Sequence, residues 1–465
     1  MQILTPKKQL KKRPQWCVIL AIGLGILMTS FDSSAVVSIL PMISHAFHSI
    51  AYTAKWVITS YLLTISALLL TAGHLGDMLG HRRLYLTGLA VFFAGALLCA
   101  SVTSIAMLVL FRIVEGIGTV LVLANAAALI TKLYASNHRG RMLGFLSSMA
   151  YIGIILGPLL SGLLLNVFGW RSVFIVVSLF VTIAFLLGVY YLPYEGRSKT
   201  IRRLNILQTV LVALALGSLV LAFHWSDRLG WQSLPVLSFV MVAFVAIMIV
   251  VRKSTKNAGA EQHIYLTYNR PVVLASGTAM FIYVALYSVT FVLPFYFFSQ
   301  YAFSPVKIGL ILSVRPAVTT LLAPVSGIFT DRNDTRIVSA VGLLILLLAL
   351  TVFALLDGQS QTTGMVISLA GIGAGMGIFL PANHKLIMSS VSSAKIGVAS
   401  ATLSLSRNIG MLMGTSLGGA LFSVPTINHL HTVFYISAGI VGIIVLNAGV
   451  NSVAGFMKHS KVLSP

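Results

Sequence analysis

Residues 73–83 read Gly73-His74-Leu75-Gly76-Asp77-Met78-Leu79-Gly80-His81-Arg82-Arg83. The chain is apolar on both sides of this stretch, over 53–74 before it and 84–103 after it. Glycines allow a tight turn and close helix approach, and Asp77 can accept bonds from neighbouring basic groups or from a helix N-terminus. A charged hinge between two apolar runs of about 20 residues reads as span, loop, span. The pattern recurs, with fourteen apolar runs between residues 17 and 456. Composition agrees. Of 465 residues, 58% are hydrophobic and 9% charged, at a mean hydropathy of +0.97. A soluble domain carries about 25% charged residues, so a soluble fold and a disordered chain are both excluded. The expected class is an all-α polytopic membrane protein. Cys17 and Cys99 lie in apolar runs and offer neither a disulfide framework nor metal spacing. The N-terminus has the outline of a secretory signal, a basic run followed by an apolar one. That run is too long, contains Asp32 and leads into a further span, so it is read as a retained first helix.

The net charge of +22 would point to nucleic acid in a soluble protein, but here its placement decides. All but seven of the 31 Lys and Arg fall in the tails and in alternate loops, on one side of the membrane. The exceptions are Lys55, Arg171, Arg228 and Lys307 on the other side, and Arg112, Arg315 and Arg407 inside spans. The positive-inside rule then puts both termini in the cytoplasm and makes the number of spans even. The excess charge needs no nucleic acid partner. The lipid bilayer is the expected one, and the basic N-tail suits anionic lipid.

The two ends of the chain echo each other at an offset of about 255 residues, as duplicated transporter halves do. Gly153, Gly157, Ser161 and Gly162 repeat as Gly410, Gly414, Gly418 and Gly419. Gly73 and Asp77 repeat as Gly327 and Asp331, and Leu40-Pro41 as Leu293-Pro294. Span n therefore matches span n+8. The expected architecture is two pseudo-symmetric six-helix bundles plus two extra central helices. Its segments are a basic tail (1–16), an N-terminal bundle (17–192), an inserted helix pair with its loops (193–269), a C-terminal bundle (270–457) and a short tail (458–465).

Charge within a span is costly and marks function by default. In Arg112-Ile113-Val114-Glu115-Gly116-Ile117-Gly118, Arg112 and Glu115 are three apart and share a helix face. Asp32 lies about 13 Å and Arg112 about 10 Å from the outer end of their spans, at 1.5 Å per residue. They share a level and can pair across a cavity. Burial disfavours the charged carboxyl and a guanidinium favours it, so Asp32 and Glu115 with Arg112 form the expected proton-coupling set. Gly153, Gly157, Pro158 and Gly162 form a groove for a neighbouring helix, and Pro158 permits a bend. Arg315 and Arg407 have no deep acidic partner in their half, and are expected at a substrate cavity that attracts an anionic group or repels a cation. Lys385 and His384 are expected to reach the cytoplasmic face.

The 73–83 stretch resembles the cytoplasmic signature loop of the major facilitator superfamily, G-x-L-x-D-x-x-G-x-R-R. The resemblance implies that Gly73, Asp77, Gly80, Arg82 and Arg83 form a conformational gate. Arg112 to Gly118 resembles the family pattern R-x-x-Q-G-x-G, with Glu115 where glutamine is usual. Gly153 to Gly162 resembles the signature of the family's proton antiporters, with Ser161 for a glycine. With fourteen spans, Gly169-Trp170-Arg171 and Gly230-Trp231, the chain resembles the fourteen-helix drug:proton antiporters. Such a resemblance implies a proton-coupled secondary transporter exporting lipophilic drugs or toxic organic compounds by alternating access, in the cell membrane, as a functional monomer. Its expected partners are a small-molecule substrate and protons. No cofactor, metal or enzymatic reaction is expected, and no P-loop pattern is present. The alternatives are an importer, symporter or exporter of an organic anion or metabolite, and, from another class, a transport-inactive sensor or scaffold. Aromatic and Met-rich spans suit bulky lipophilic compounds.

Overall fold

The computed structural model describes residues 15–134, 136–194, 206–230, 232–256, 270–356, 362–391, 396–423 and 429–460. The basic tail to residue 14, the basic loop 195–205, Trp231, the 257–269 loop, Lys395 and Lys461 lie outside them. Among the described residues there are fourteen helices and no strand. They are α1 (Gln15–Ala46), α2 (Ala51–Leu79), α3 (His81–Ala100), α4 (Ile105–Leu133), α5 (Ser136–Phe168), α6 (Arg171–Tyr191) and α7 (Ile206–Leu229). The second seven are α8 (Leu234–Lys256), α9 (Arg270–Ser299), α10 (Pro305–Arg332), α11 (Thr335–Leu355), α12 (Thr362–Ser389), α13 (Ile396–Ser423) and α14 (His429–Ser460). Each covers one of the fourteen apolar runs. Lipid offers the backbone no hydrogen bonds, so an apolar run must satisfy its own N–H and C=O groups, and the α-helix does so. Among the described residues, 9 helices are long and apolar enough to cross a membrane unbroken, and α2 makes a tenth if its 52° bend is counted as one span.

The chain divides into two compact units, Met1–Val250 with Pro294–Ser313, and Val251–Leu293 with Val314–Pro465. The inserted segment expected at 193–269 is thus divided, its residues to Val250 going with the first unit. There α7 packs on α2, and Thr71 and Thr209 share a hydroxyl–hydroxyl contact. Within the first unit α1 packs against α5 and α6, and α4 against α2 and α3. The first turns of α10 also belong to it, because Gly162 on α5 admits the backbone at Val306. In the second unit α11 packs against α12 and α14.

The repeat read from the sequence is also a repeat of contacts. A Cβ on Gly118 would stand 2.6 Å from Phe92 Cα, and one on Gly88 2.9 Å from Val122 N, so α3 and α4 meet backbone to backbone. In the second unit Gly375 stands in the same relation to Leu346 N and Gly342 to Phe379 N, each at 2.7 Å, bringing α11 onto α12. Apolar side chains gain little by leaving lipid for a helix interface, so close backbone packing through small residues supplies the association.

A side chain at Gly118 would have to displace the backbone of Phe92. Gly118→Leu is expected to destabilise the protein by about 3 kcal/mol or more, beyond the usual overpacking cost because backbone cannot yield. Gly217→Ala, with nothing within 4 Å of its added Cβ, is expected to be neutral. Thermal midpoints of the purified variants check the contrast.

Candidate functional site

Four helices of the first unit meet in one ion cluster around Arg112. Arg112 of α4 donates from Nη1 to Asp32 Oδ2 of α1 at 2.7 Å and to Glu115 Oε2, one turn along α4, also at 2.7 Å. Its Nε donates to Val57 O of α2 at 3.3 Å. The Tyr61 ring lies under it, 3.9 Å from the guanidinium carbon, with Tyr61 Oη 3.1 Å from Thr119 Oγ1. From α3, Cys99 Sγ donates to Glu115 Oε2 at 3.5 Å. Gly95 leaves room for this, since a Cβ there would stand 2.7 Å from Glu115 Cα.

The three charged groups are sealed, at 0% exposure for Asp32 and Glu115 and 1% for Arg112. Isolated buried charges would cost several kcal/mol each, and each here is held only through its partners. Two carboxylates share one guanidinium, so the cluster has a carboxylate in excess. Asp32 Oδ1 and Glu115 Oε1 are buried and make no hydrogen bond. The sequence places the acids at a solvent-reachable cavity. In this conformation they are enclosed, with the buried Tyr61 against Arg112 and Cys99 against Glu115.

The predicted groove glycines face α1 beside this cluster. A Cβ on Gly153 would stand 2.9 Å from Phe31 N, and one on Gly157 2.9 Å from Ala35 N. Ser161 Oγ meets Ser38 Oγ at 2.8 Å. Pro158 and Gly162 lie further along α5, where α10 approaches. The groove thus seats the helix that carries Asp32.

At the other end of α2 lies the 73–83 stretch, read from sequence as a gate in which Asp77 accepts from neighbouring basic groups. Gly80 turns the chain with φ 97°, a region that favours glycine. Arg82 and Arg83 do not pair with Asp77. Arg82 donates to Leu192 O and Val189 O, each at 3.0 Å, meeting the unsatisfied carbonyls where α6 ends. Arg83 donates to Tyr194 Oη at 2.6 Å. The partner of Asp77 is His81, through Nε2 at 3.3 Å, and His81 Nδ1 meets Asn125 Oδ1 at 2.8 Å. Asn125 spends its amide nitrogen on Leu121 O, which turns its oxygen toward the imidazole. Both ring nitrogens of the buried His81 therefore face side-chain oxygens. Gly73 has open space around it. In the second unit the matching Asp331 accepts from Lys385 Nζ at 2.9 Å, and Lys385 also donates to Thr330 O at 2.7 Å.

Arg315 and Arg407 both lie in the second unit. Arg315 Nη1 donates to Thr290 Oγ1 at 2.8 Å, and Arg407 Nη2 to Ser404 Oγ at 3.4 Å. Neither has an acidic partner among the described residues. Lys55, assigned by sequence to the outer side of the membrane, is buried in α2 at 2% exposure. Sequence reasoning also missed Tyr61, Cys99, Thr119, His81 and Asn125. The hydroxyl run Thr59-Ser60-Tyr61 inside an apolar span was the available signal for Tyr61.

His81→Phe leaves Asn125 Oδ1 buried without a donor. The expected cost is about 1–3 kcal/mol, the penalty for stranding a buried polar group, read as a fall in thermal midpoint of the purified protein.

The chain matches a family model described as Major Facilitator Superfamily over residues 22–252 and 275–452. It is 26% identical over 411 residues to the riboflavin transporter RibZ of Clostridioides difficile, covering 88% of this chain and 89% of that protein. It is 26% identical over 412 residues to the multidrug resistance protein Stp of Mycobacterium tuberculosis, covering 88% and 76%. A crystal structure of a POT family transporter in complex with a thioalcohol-conjugated peptide superposes with a TM-score of 0.71 at 15% identity, over 95% of this chain and 98% of that one.

Proposed function

Since the chain belongs to the major facilitator superfamily and is a multi-pass membrane transporter of small molecules, we propose that it exports lipophilic drugs or toxic organic compounds in exchange for protons. The observation that carries this reading is the excess carboxylate on Arg112. In apolar surroundings an unbalanced negative charge is expensive, and one proton on Asp32 or Glu115 removes it. Asp32 Oδ1 and Glu115 Oε1 can take that proton without breaking an existing bond. Arg112 holds whichever acid stays charged.

In the cycle, substrate enters from the cytoplasm or inner leaflet while the cluster is deprotonated, and a proton arriving from outside releases it. Movement of Tyr61 and α1 opens the enclosed acids to water in turn. The loop at Gly73, Asp77 and Gly80 governs closure on the cytoplasmic side. Arg82 and Arg83 anchor it to the end of α6, and His81 ties it to α4. The protein works as a monomer in the cell membrane with both termini in the cytoplasm. One proton moving down 100 mV yields about 2.3 kcal/mol, which supports roughly a fiftyfold gradient of a neutral compound. A second reading, transport of an organic anion or metabolite, is favoured by Arg315 and Arg407, which have no acidic partner among the described residues, and by likeness to a protein named a riboflavin transporter.

A susceptibility panel of dyes, biocides and drugs in an efflux-deficient host identifies protected compounds. Adding these to everted vesicles with an acid lumen is expected to raise lumenal pH in a substrate-dependent way. Asp32→Asn at normal expression is expected to cut this exchange at least about tenfold, as loss of an essential proton carrier does. Glu115→Gln, which leaves the Asp32–Arg112 pair, is expected to keep exchange but move fewer protons per substrate. Undiminished efflux in Asp32→Asn removes the cluster from the mechanism.

A further inference from the structure

Arg112 reaches both acids through a single nitrogen. Nη1 donates to Asp32 Oδ2 and to Glu115 Oε2, each at 2.7 Å. A guanidinium often meets a carboxylate as a fork, with two parallel bonds to one acid. Arg112 has two acids in reach and forks onto neither. A group held across two partners needs support from outside the pair, and α2 supplies it. Val57 and Tyr61 are four apart on that helix and share a face. Val57 O accepts from Nε at 3.3 Å. The Tyr61 ring lies 3.9 Å from the guanidinium carbon, where the electron-rich face of the ring attracts the cation.

The ring is clamped in turn. Tyr61 Oη is 3.1 Å from Thr119 Oγ1, and Thr119 stands one turn beyond Glu115 on α4. A Cβ on Gly116 would stand 3.2 Å from Tyr61 O, so α4 passes close to the backbone of Tyr61 as well. Tyr61 is 2% exposed, and Thr119 is buried with it. Of the other ionisable groups at the cluster, α1 brings Asp32, α3 brings Cys99, and α4 brings Arg112 and Glu115. The helix α5 meets α1 there through Gly153 and Gly157. The helix α6, which packs on α1 and α3, has ionisable residues only at its ends, Arg171, Tyr190 and Tyr191. The helix α7, which packs on α2, has none over 206–223. Lys55 is about 9 Å from Tyr61 along α2 at 1.5 Å per residue. One cation thus answers to two acids, and whatever positions it decides how its charge is divided between them.

We infer that Tyr61 is a positioning residue for the proton-coupling step, its clamped ring holding the Arg112 guanidinium between Asp32 and Glu115 so that one cation serves both acids. Without the ring the guanidinium is free to turn and fork onto one acid. The other acid then loses its cation while it stays enclosed, and burial favours its protonated form. Thr119 acts one step further out, by fixing the hydroxyl end of the ring. The inference rests on the transport reading above and assigns a further residue to its proton step.

The test is an infrared pH titration of the full purified chain in detergent, without substrate or gradient, following the C=O band of a protonated carboxyl. Asp32→Asn removes the excess acid and is expected to remove the band, which identifies it. In Tyr61→Leu the band is expected to persist to about one pH unit higher than in the wild type, a tenfold change in proton affinity of the size a desolvated cation–ring contact supplies. Tyr61→Met, a flexible gap-filler without a ring, is expected to do the same and covers the case in which the leucine variant does not fold. Tyr61→Phe keeps the ring and is expected to change proton affinity by no more than about threefold, the size of one net hydrogen bond. Thr119→Val removes the same bond. It is expected to match Tyr61→Phe, and the double variant to add nothing further. A wild-type chain without the band overturns the inference. So do Tyr61→Leu and Tyr61→Met chains that titrate like the wild type, whatever their thermal midpoints, and a Tyr61→Phe chain that shifts as far as Tyr61→Leu. The two readings fail separately. If vesicles show no proton exchange, the titration still reports on Tyr61. If the titration is blind to Tyr61, proton-driven export survives.

Discussion

Everything in the first unit is organised around one arginine that must not be left alone. Arg112 sits inside a span, where an unpaired charge is among the least tolerable features a protein can have. Its partners come from α1, from its own helix and from α2, so the ion cluster fixes the mutual position of three helices. The same contacts that hold the helices also hold the titratable groups. A change in charge at the cluster is consequently a change in what binds α1, α2 and α4 together.

Small residues make that arrangement reachable. Gly153 and Gly157 bring α5 against α1 at Phe31 and Ala35, next to Asp32. Gly95 performs the same service for α3 beneath Glu115. The second unit reuses the plan, with Gly410 and Gly414 receiving Tyr283 and Tyr287 where Gly153 and Gly157 receive α1. The scaffold is duplicated and the chemistry on it is not. The first unit carries an excess of carboxylate around a sealed arginine, and the second carries half-buried arginines with no carboxylate beside them among the described residues.

The cytoplasmic turns show the same divergence in a smaller setting. Asp77 answers to a buried histidine, and its counterpart Asp331 answers to a lysine near the surface. Arg82 and Arg83, which look like natural partners for Asp77 in the linear sequence, reach across to the end of α6 instead. Long side chains find the strongest unsatisfied acceptors within reach, and a helix terminus offers several.

The number of helices, their class, the internal repeat and the deep charges were legible in the sequence, because lipid as a solvent leaves apolar runs one backbone solution and makes every intramembrane charge conspicuous. Helical spacing alone placed Glu115 beside Arg112, and depth along two spans placed Asp32 level with them. Tertiary structure decided what the linear pattern does not encode. It set Tyr61 under the guanidinium, Cys99 on Glu115, His81 between Asp77 and Asn125, and Lys55 in a buried position. It also decided that the acids are enclosed in this conformation and that Arg315 is held by Thr290 and Arg407 by Ser404. Those outcomes depend on how helices far apart in the chain rotate and approach, and no local periodicity carries that information.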